Sequence, residues 1–150
     1  MEVKELKTRK RGKILGVDYG DVRTGLAVCD LSGFLASGIG TIKPGGMRNT
    51  AMAVAEEAKK QGAVLIVIGL PKNMDGTEGF RADAVRSFGK LLEEYTEVPY
   101  TYYDERLSTC CAHQILNITD TGGKKRKTVI DMLSAEIILQ NFMDATPIEP

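Results

Sequence analysis

The first third of the chain contains three short runs rich in apolar residues. These runs predict three β-strands, at residues 13–19, 24–30 and 34–42. Only short polar segments separate the runs, so we expect antiparallel hairpins. The pattern then stops at Pro44, Gly45 and Gly46, which are typical of a break between elements.

Beyond this break the apolar positions change to a helical spacing. Residues 48–61 place Ala51, Val54, Ala55 and Ala58 on one helix face, and Gly62 is a suitable C-terminal stop. The unbroken apolar run AVLIVIG that follows predicts a strand buried on both faces. The later segments predict a loop at 71–79, a second amphipathic helix, a strand at 98–104, a helix from Ser108 to about 117, a polar loop at 117–127 and a final helix over about 128–143.

Three strands followed by alternating helices and strands predict an α/β fold. We expect a mixed five-stranded sheet, with three antiparallel strands and then two parallel ones, and with helices on both faces. The 150 residues are enough for one domain. We therefore predict a basic N-terminal tail at 1–12, a single domain at 13–144 and a short C-terminal tail at 145–150.

Composition narrows the class of protein. The chain is 43% hydrophobic and 27% charged, which is typical of a globular protein and argues against disorder. Its apolar runs are far shorter than the ~20 residues of a membrane helix, and its basic start lacks the apolar stretch of a signal peptide. The three cysteines, Cys29, Cys110 and Cys111, form no CxxC pair. We therefore expect a cytoplasmic protein with reduced thiols and no membrane partner.

A formal net charge of zero conceals two basic clusters. Residues 1–13 contain six basic and two acidic side chains, and residues 124–127 are Lys124, Lys125, Arg126 and Lys127. One interpretation is a solvated tail and a solvated loop, and the other is contact with phosphate groups. The sequence leaves both open.

The strongest local pattern is GVDYGDVRTGLAV, which contains Asp18, Gly20, Arg23 and Gly25. Asp18 falls near the end of an apolar strand, where a carboxylate needs a charge partner, hydrogen bonds or a metal. The alternatives are an ordinary hairpin with a turn aspartate and the phosphate loop of an actin-like ATPase or sugar kinase.

A second polar cluster begins where the last strand meets a helix. It contains Asp104, Glu105, Arg106, Ser108 and Thr109. Ligands of open α/β sheets bind beyond the carboxyl ends of the strands, which favours a site here. The alternative is a helix N-terminus with acids placed against its dipole.

The last helix contributes a third acid. Asp131 begins a stripe that continues through Ser134, Ala135, Ile138 and Phe142, so it lies on the face that must pack against the core. We expect it in the first turn of that helix, close to Asp18 and Glu105.

Further along the predicted edge, the segment VIGLPKNMDGT offers Lys72 and Asn73 for phosphate or base contact, with a plain loop as the alternative. Three carboxylates without a histidine or thiol cluster suit Mg²⁺ or Mn²⁺ rather than zinc. Two such ions can drive hydrolysis of a phosphodiester.

Taken together, these four motifs resemble the YqgF/RuvX family over residues 13–144. The resemblance implies an RNase H-like fold, an acidic triad of Asp18, Glu105 and Asp131 that holds the metal, and substrate contacts from Arg23, Lys72, Arg106, Ser108 and Thr109. It also implies a bacterial enzyme that cleaves the 5′ end of precursor 16S rRNA, with Holliday junction resolution as the older suggestion. Residues 1–12, Asp104, Cys110 and Cys111 gain no role from it.

The leading hypothesis is therefore a metal-dependent nuclease of structured nucleic acid, most of all precursor rRNA, with the small ribosomal subunit as a candidate partner. We expect a monomer or a homodimer, in which Lys124–Lys127 form a loop that clamps the substrate backbone. The alternatives are a resolvase that acts as a dimer on branched DNA, and a nucleic-acid-binding module with weak catalysis. An actin-like ATPase would need two such domains.

Overall fold

The computed structural model describes residues 1–4, 6–105 and 123–150, and only the backbone of residues 123–128. The predicted helix from Ser108 and the residues Arg106, Thr109, Cys110 and Cys111 lie outside the described residues. The strands are β1 (Ile14–Asp18), β2 (Thr24–Cys29), β3 (Ala36–Ile42), β4 (Leu65–Leu70) and β5 (Tyr100–Asp104). The described helices are α1 (Met47–Gln61), α2 (Phe80–Leu92) and α3 (Gly123–Ala145).

The five strands form one mixed sheet in the order β3-β2-β1-β4-β5. Strands β1, β2 and β3 pair antiparallel, whereas β4 pairs parallel with both β1 and β5. The predicted sheet is therefore confirmed. Because β1, β4 and β5 run in the same direction, their carboxyl ends meet at one edge of the sheet.

Helices cover both faces of this sheet, as predicted. Helices α1 and α2 pack on one face around Leu15, Val17, Ile66 and Phe88, and α3 packs on the other. Every residue of β4 is buried, which explains its unbroken apolar sequence. None of the helices in the described ranges is long and apolar enough to cross a membrane.

Glycines allow α3 to lie directly against the sheet. A Cβ atom at Gly16 of β1 would lie 2.9 Å from Cβ of Leu139, and one at Gly38 of β3 would overlap the side chain of Met132. Between them, a Cβ atom at Gly25 of β2 would overlap the backbone oxygen of Asp131. One glycine on each of three neighbouring strands thus leaves the space in which α3 crosses the sheet.

The start of α3 differs from the prediction. The helix begins at Gly123 rather than near residue 128, so Lys124–Lys127 belong to its first turns and do not form a loop. Asp131 consequently lies in the third turn. The glycine pair before the basic run suggested a loop, but lysine and arginine have high helix propensity and extend the helix backwards.

Residues of the predicted N-terminal tail contact the domain. The backbone N–H of Val3 donates to the carbonyl of Tyr100 over 2.7 Å, and the N–H of Tyr100 donates to Met1 over 3.1 Å. The side chain of Arg9 is only 5% exposed, and it donates to the carbonyls of Thr146 and Gly33 over 2.7 Å each. Part of the basic N-terminal charge is therefore used within the fold.

Candidate active site at the carboxyl edge of the sheet

Asp18 and Glu105 meet at the edge where the parallel strands end. Asp18 is the last residue of β1, and Glu105 directly follows β5, with β4 between the two strands. Their carboxyl groups share a hydrogen bond. A Cβ atom at Gly69 of β4 would lie 2.5 Å from Oε2 of Glu105, so the glycine leaves room for this carboxyl group above the intervening strand.

The contact changes the acidity of both groups. Burial raises the pKa of Asp18 well above its usual range, and the charge of Glu105, the hydrogen bond to Glu105 and the charge of Asp131 raise it further. Burial also raises the pKa of Glu105, although the hydrogen bond from Asp18 works in the opposite direction. Two carboxyl groups in such contact resist ionising together. The pair therefore favours either one bound proton or a nearby cation.

Asp131 approaches the same site from the other side of the sheet edge. The register of β1 and β2 places Gly25 opposite Asp18, and α3 crosses β2 at Gly25. Asp131 is held there by Arg23, whose Nε donates to Oδ2 of the carboxylate over 2.5 Å. The two side chains are 25% and 20% exposed, so this is a largely buried ion pair.

The structure adds a residue that the sequence analysis missed. Arg81 is exposed in the first turn of α2, and its positive charge lowers the pKa of both Asp18 and Glu105. The signal was present in the topology, because the helix that follows a parallel strand begins at the carboxyl edge. No local motif marks this arginine.

The loop after β4 has mainly internal contacts. The side-chain amide of Asn73 donates to Oγ1 of Thr77 over 2.9 Å, and the same hydroxyl donates to Asp75 over 2.6 Å. The positive charge of Lys72 lowers the pKa of Glu78. Asn73 thus stabilises its own loop, which lies at the same edge as the acids.

Of the predicted site residues, the structure brings together Asp18, Glu105, Asp131 and Arg23. Arg106, Ser108 and Thr109 fall outside the described residues, as do the side chains of Lys124–Lys127. The three acids offer carboxylate oxygens, which are the ligands that Mg²⁺ and Mn²⁺ prefer. Within the described residues, no three histidine, cysteine or acidic side chains converge as metal ligands do. The carboxylate of Asp131 is instead paired with Arg23.

Solved structures share this fold. RuvC of T. thermophilus in complex with a Holliday junction substrate aligns with a TM-score of 0.55 and 15% identity, over 89% of this chain and 94% of that one. The fowlpox virus resolvase in complex with Holliday junction DNA aligns with a TM-score of 0.52 and 15% identity, over 89% of this chain and 97% of that one. The predicted RNase H-like fold is thereby confirmed.

Relatives found by sequence are more similar in sequence to this chain than the solved structures are. A protein of Heliobacterium modesticaldum named "Putative pre-16S rRNA nuclease" is 44% identical over 133 residues, which are 89% of either chain. A protein of Clostridioides difficile with the same name is 43% identical over 133 residues, which are 89% of this chain and 94% of that one. The model of the family described as "RuvX: Holliday junction resolvase" matches residues 12–145. The chain therefore belongs to the RuvX family of nucleases, as its four motifs predicted.

Proposed function

We propose that this protein is a divalent-metal-dependent nuclease that hydrolyses a phosphodiester bond at the 5′ end of precursor 16S rRNA. The observation that carries this proposal is the contact between the carboxyl groups of Asp18 and Glu105 at the carboxyl edge of the sheet, with Asp131 near enough for its charge to raise the pKa of Asp18. The names of its sequence relatives support the same substrate.

The three acids are the residues that would hold the metal. Asp18 and Glu105 provide a hydrogen-bonded carboxyl pair, and Asp131 provides a third carboxylate that is now paired with Arg23. Mg²⁺ or Mn²⁺ bound there would supply an activated water and stabilise the leaving oxygen of the phosphodiester. The raised pKa values of Asp18 and Glu105 fit this role, because a cation relieves the repulsion that now favours a bound proton.

The protein's own basic residues serve to position and bind. Arg23 keeps Asp131 beside Asp18, so that the third acid is in place before substrate arrives. The basic turns at Lys124–Lys127 lie at the start of the same helix and provide charge for the substrate backbone without selecting bases. Lys72 lies in the loop after β4 and adds positive charge to the same edge.

One cleavage assay tests the proposal. Precursor 16S rRNA, free and in an immature small ribosomal subunit, is offered with a four-way DNA junction and a plain duplex in Mg²⁺, Mn²⁺ or EDTA. We expect cleavage of the precursor RNA with metal and none with EDTA. Cleavage that persists in EDTA would overturn the metal assignment. Tight binding without any cleavage would favour a nucleic-acid-binding module.

A second candidate function is resolution of Holliday junctions. The description of the family model favours this function. None of the described residues at the acid cluster selects RNA over DNA. A resolvase cuts two strands of a four-way junction symmetrically, so it should act as a homodimer. Preferential cleavage of the junction, together with a dimer in light scattering, would establish this alternative over rRNA processing.

A further inference from the structure

A small cavity lies beside the acid cluster, between two segments that both start from the carboxyl edge. Its volume is about 260 Å³, and residues 19–21, directly after Asp18, form one wall. The first two turns of α2 form the other wall through Phe80, Arg81, Ala84 and Val85. The cavity therefore lies next to the proposed catalytic site, and Arg81 in its wall is near enough for its charge to lower the pKa of Asp18 and Glu105.

The side chains around this cavity differ in character. Tyr19, in one wall, is buried and stacks on Phe88 with ring centroids 4.5 Å apart, so its ring is packed into the fold. Phe80 is instead 82% exposed, so its ring gains little from packing within the fold. The ring of Phe80 is therefore accessible to a ligand at the rim of the cavity.

The two walls of the cavity carry opposite charges. Arg81 is exposed and forms no hydrogen bond or salt bridge with any other part of the chain that the structure describes. Asp21 lies across the cavity on the loop after β1 and carries the opposite charge. A phosphate group would be attracted to Arg81 and repelled by Asp21. Asp21 can accept a hydrogen bond from a hydroxyl or amino group.

From this arrangement we infer that the cavity is a subsite for one unpaired nucleotide next to the scissile phosphate. Phe80 stacks on its base, and Arg81 binds its phosphate. An aromatic ring beside a cation is the usual means of holding single-stranded nucleic acid, since every base has a face that can stack. The inference rests on the proposed nuclease function and specifies it: the substrate is unpaired on one side of the cut.

The chain offers a direct spectroscopic test, because it contains no tryptophan. Phe80→Trp introduces one tryptophan, the only one in the variant, at the cavity. The matched control is Phe34→Trp, since Phe34 is 72% exposed on the β2–β3 turn, at the opposite end of β1 from Asp18. Both variants also carry Asp18→Asn, so that the substrate stays intact during the titration. The probes are a short single-stranded oligoribonucleotide and the same sequence in a perfect duplex.

We expect the single strand to quench the fluorescence of the Phe80→Trp variant and to leave that of the Phe34→Trp variant unchanged. The duplex should quench the Phe80→Trp variant little. Phe80→Ala should weaken single-strand binding about 5- to 150-fold, the range for loss of one stacked base, whereas Phe34→Ala should not. Arg81→Ala should lower the slope of log affinity against log salt by about 0.7, and Arg81→Lys should restore it.

Equal quenching of the two tryptophan variants, or no effect of Phe80→Ala on single-strand affinity, would overturn the inference. These outcomes are separate from the proposed function, because cleavage is measured with the unsubstituted protein. Cleavage without quenching would contradict the nucleotide subsite and support the nuclease function. Quenching without cleavage would support the nucleotide subsite and contradict the nuclease function.

Discussion

Gly25 and Asp131 are in direct contact where α3 crosses β2, and the contact leaves no room for a side chain at position 25. Since Gly25 pairs with Asp18 in the sheet, this crossing also determines the distance between two of the three acids. A residue without a side chain thus sets the geometry of the candidate site.

Gly25→Ala should therefore reduce both stability and cleavage. The added methyl group meets backbone rather than a flexible side chain, so we expect a loss of at least roughly 1–3 kcal/mol in the free energy of unfolding. Gly79→Ala is the control, because that glycine has an ordinary φ of −106° and only one atom at 4.0 Å from the added Cβ. Its cost should stay below about 1 kcal/mol. Equal losses in urea unfolding would contradict the crossing geometry.

Asp18→Asn should abolish cleavage and leave the fold intact. Loss of an outer-shell partner of a metal already costs about 10–100-fold, so loss of a direct ligand should cost more. Asp75→Asn is the control, because the Asp75 carboxylate accepts hydrogen bonds from Thr77 within its own loop. The measurement is the initial rate on precursor RNA. Normal cleavage by Asp18→Asn would show that Asp18 is not a ligand.

The same substitution should change the pH dependence of stability in EDTA. The pKa of Asp18 is raised in the folded state, so its contribution is fully present below the unfolded value of about 3.9 and is lost as pH rises through the folded value. Asparagine has no such loss. Asp18→Asn should therefore have a Tm equal to or above that of the unsubstituted protein at neutral pH, and the difference should shrink towards pH 4. A difference that grows on acidification would contradict the raised pKa.

Asp131→Asn should also abolish cleavage, but its effect on stability should have the opposite sign. It leaves the largely buried Arg23 without its carboxylate partner, so the metal-free protein should lose stability. A double-mutant cycle with Arg23→Gln measures the coupling, which we expect at roughly 0.5–3 kcal/mol. Strictly additive effects would show that the pair contributes nothing to folding.

Metal binding should be visible without any substrate. A ligand that binds only the folded state stabilises it by about 2.7 kcal/mol at one hundred times its Kd. Mg²⁺ or Mn²⁺ should therefore raise the Tm of the unsubstituted protein, and Asp18→Asn should largely remove this rise. Na⁺ at matched ionic strength separates specific binding from screening. An equal rise in the variant would place the ion elsewhere.

Replacement of Lys124, Lys125, Arg126 and Lys127 by alanine should weaken substrate binding alike across sequences. The substitution preserves α3, since alanine is the best helix former. Each lost phosphate contact should remove roughly 0.7–0.9 from the slope of log affinity against log salt. Turnover of bound substrate should change less, because the acids remain. Parallel salt dependences for the two proteins would show that these charges are only solvated.

Much of this arrangement was predictable from local patterns. Short apolar runs bounded by polar or glycine-containing segments indicated the five strands, and the position of Asp131 on the apolar stripe of α3 indicated that it faces the sheet. The role of Gly25 was not predictable, because a glycine in a hairpin sequence looks the same whether it turns the chain or admits a helix. Arg81 was missed for a related reason, since only the three-dimensional position of α2 relates it to Asp18. The start of α3 was wrong because glycine and charge suggested a loop where helix propensity prevailed.

The contact between the first residues and Tyr100 has a consequence for how the molecule behaves at high concentration. β5 is the last strand of the sheet, and the backbone of Met1 to Val3 occupies its free side at Tyr100. An uncovered strand of this kind is a template on which another chain can extend the sheet and begin to aggregate. A shortened protein that starts at Lys13 would retain all the acids of the candidate site and lose this cover. By pairing with the free side of β5, the N-terminal residues thus oppose self-association through this edge.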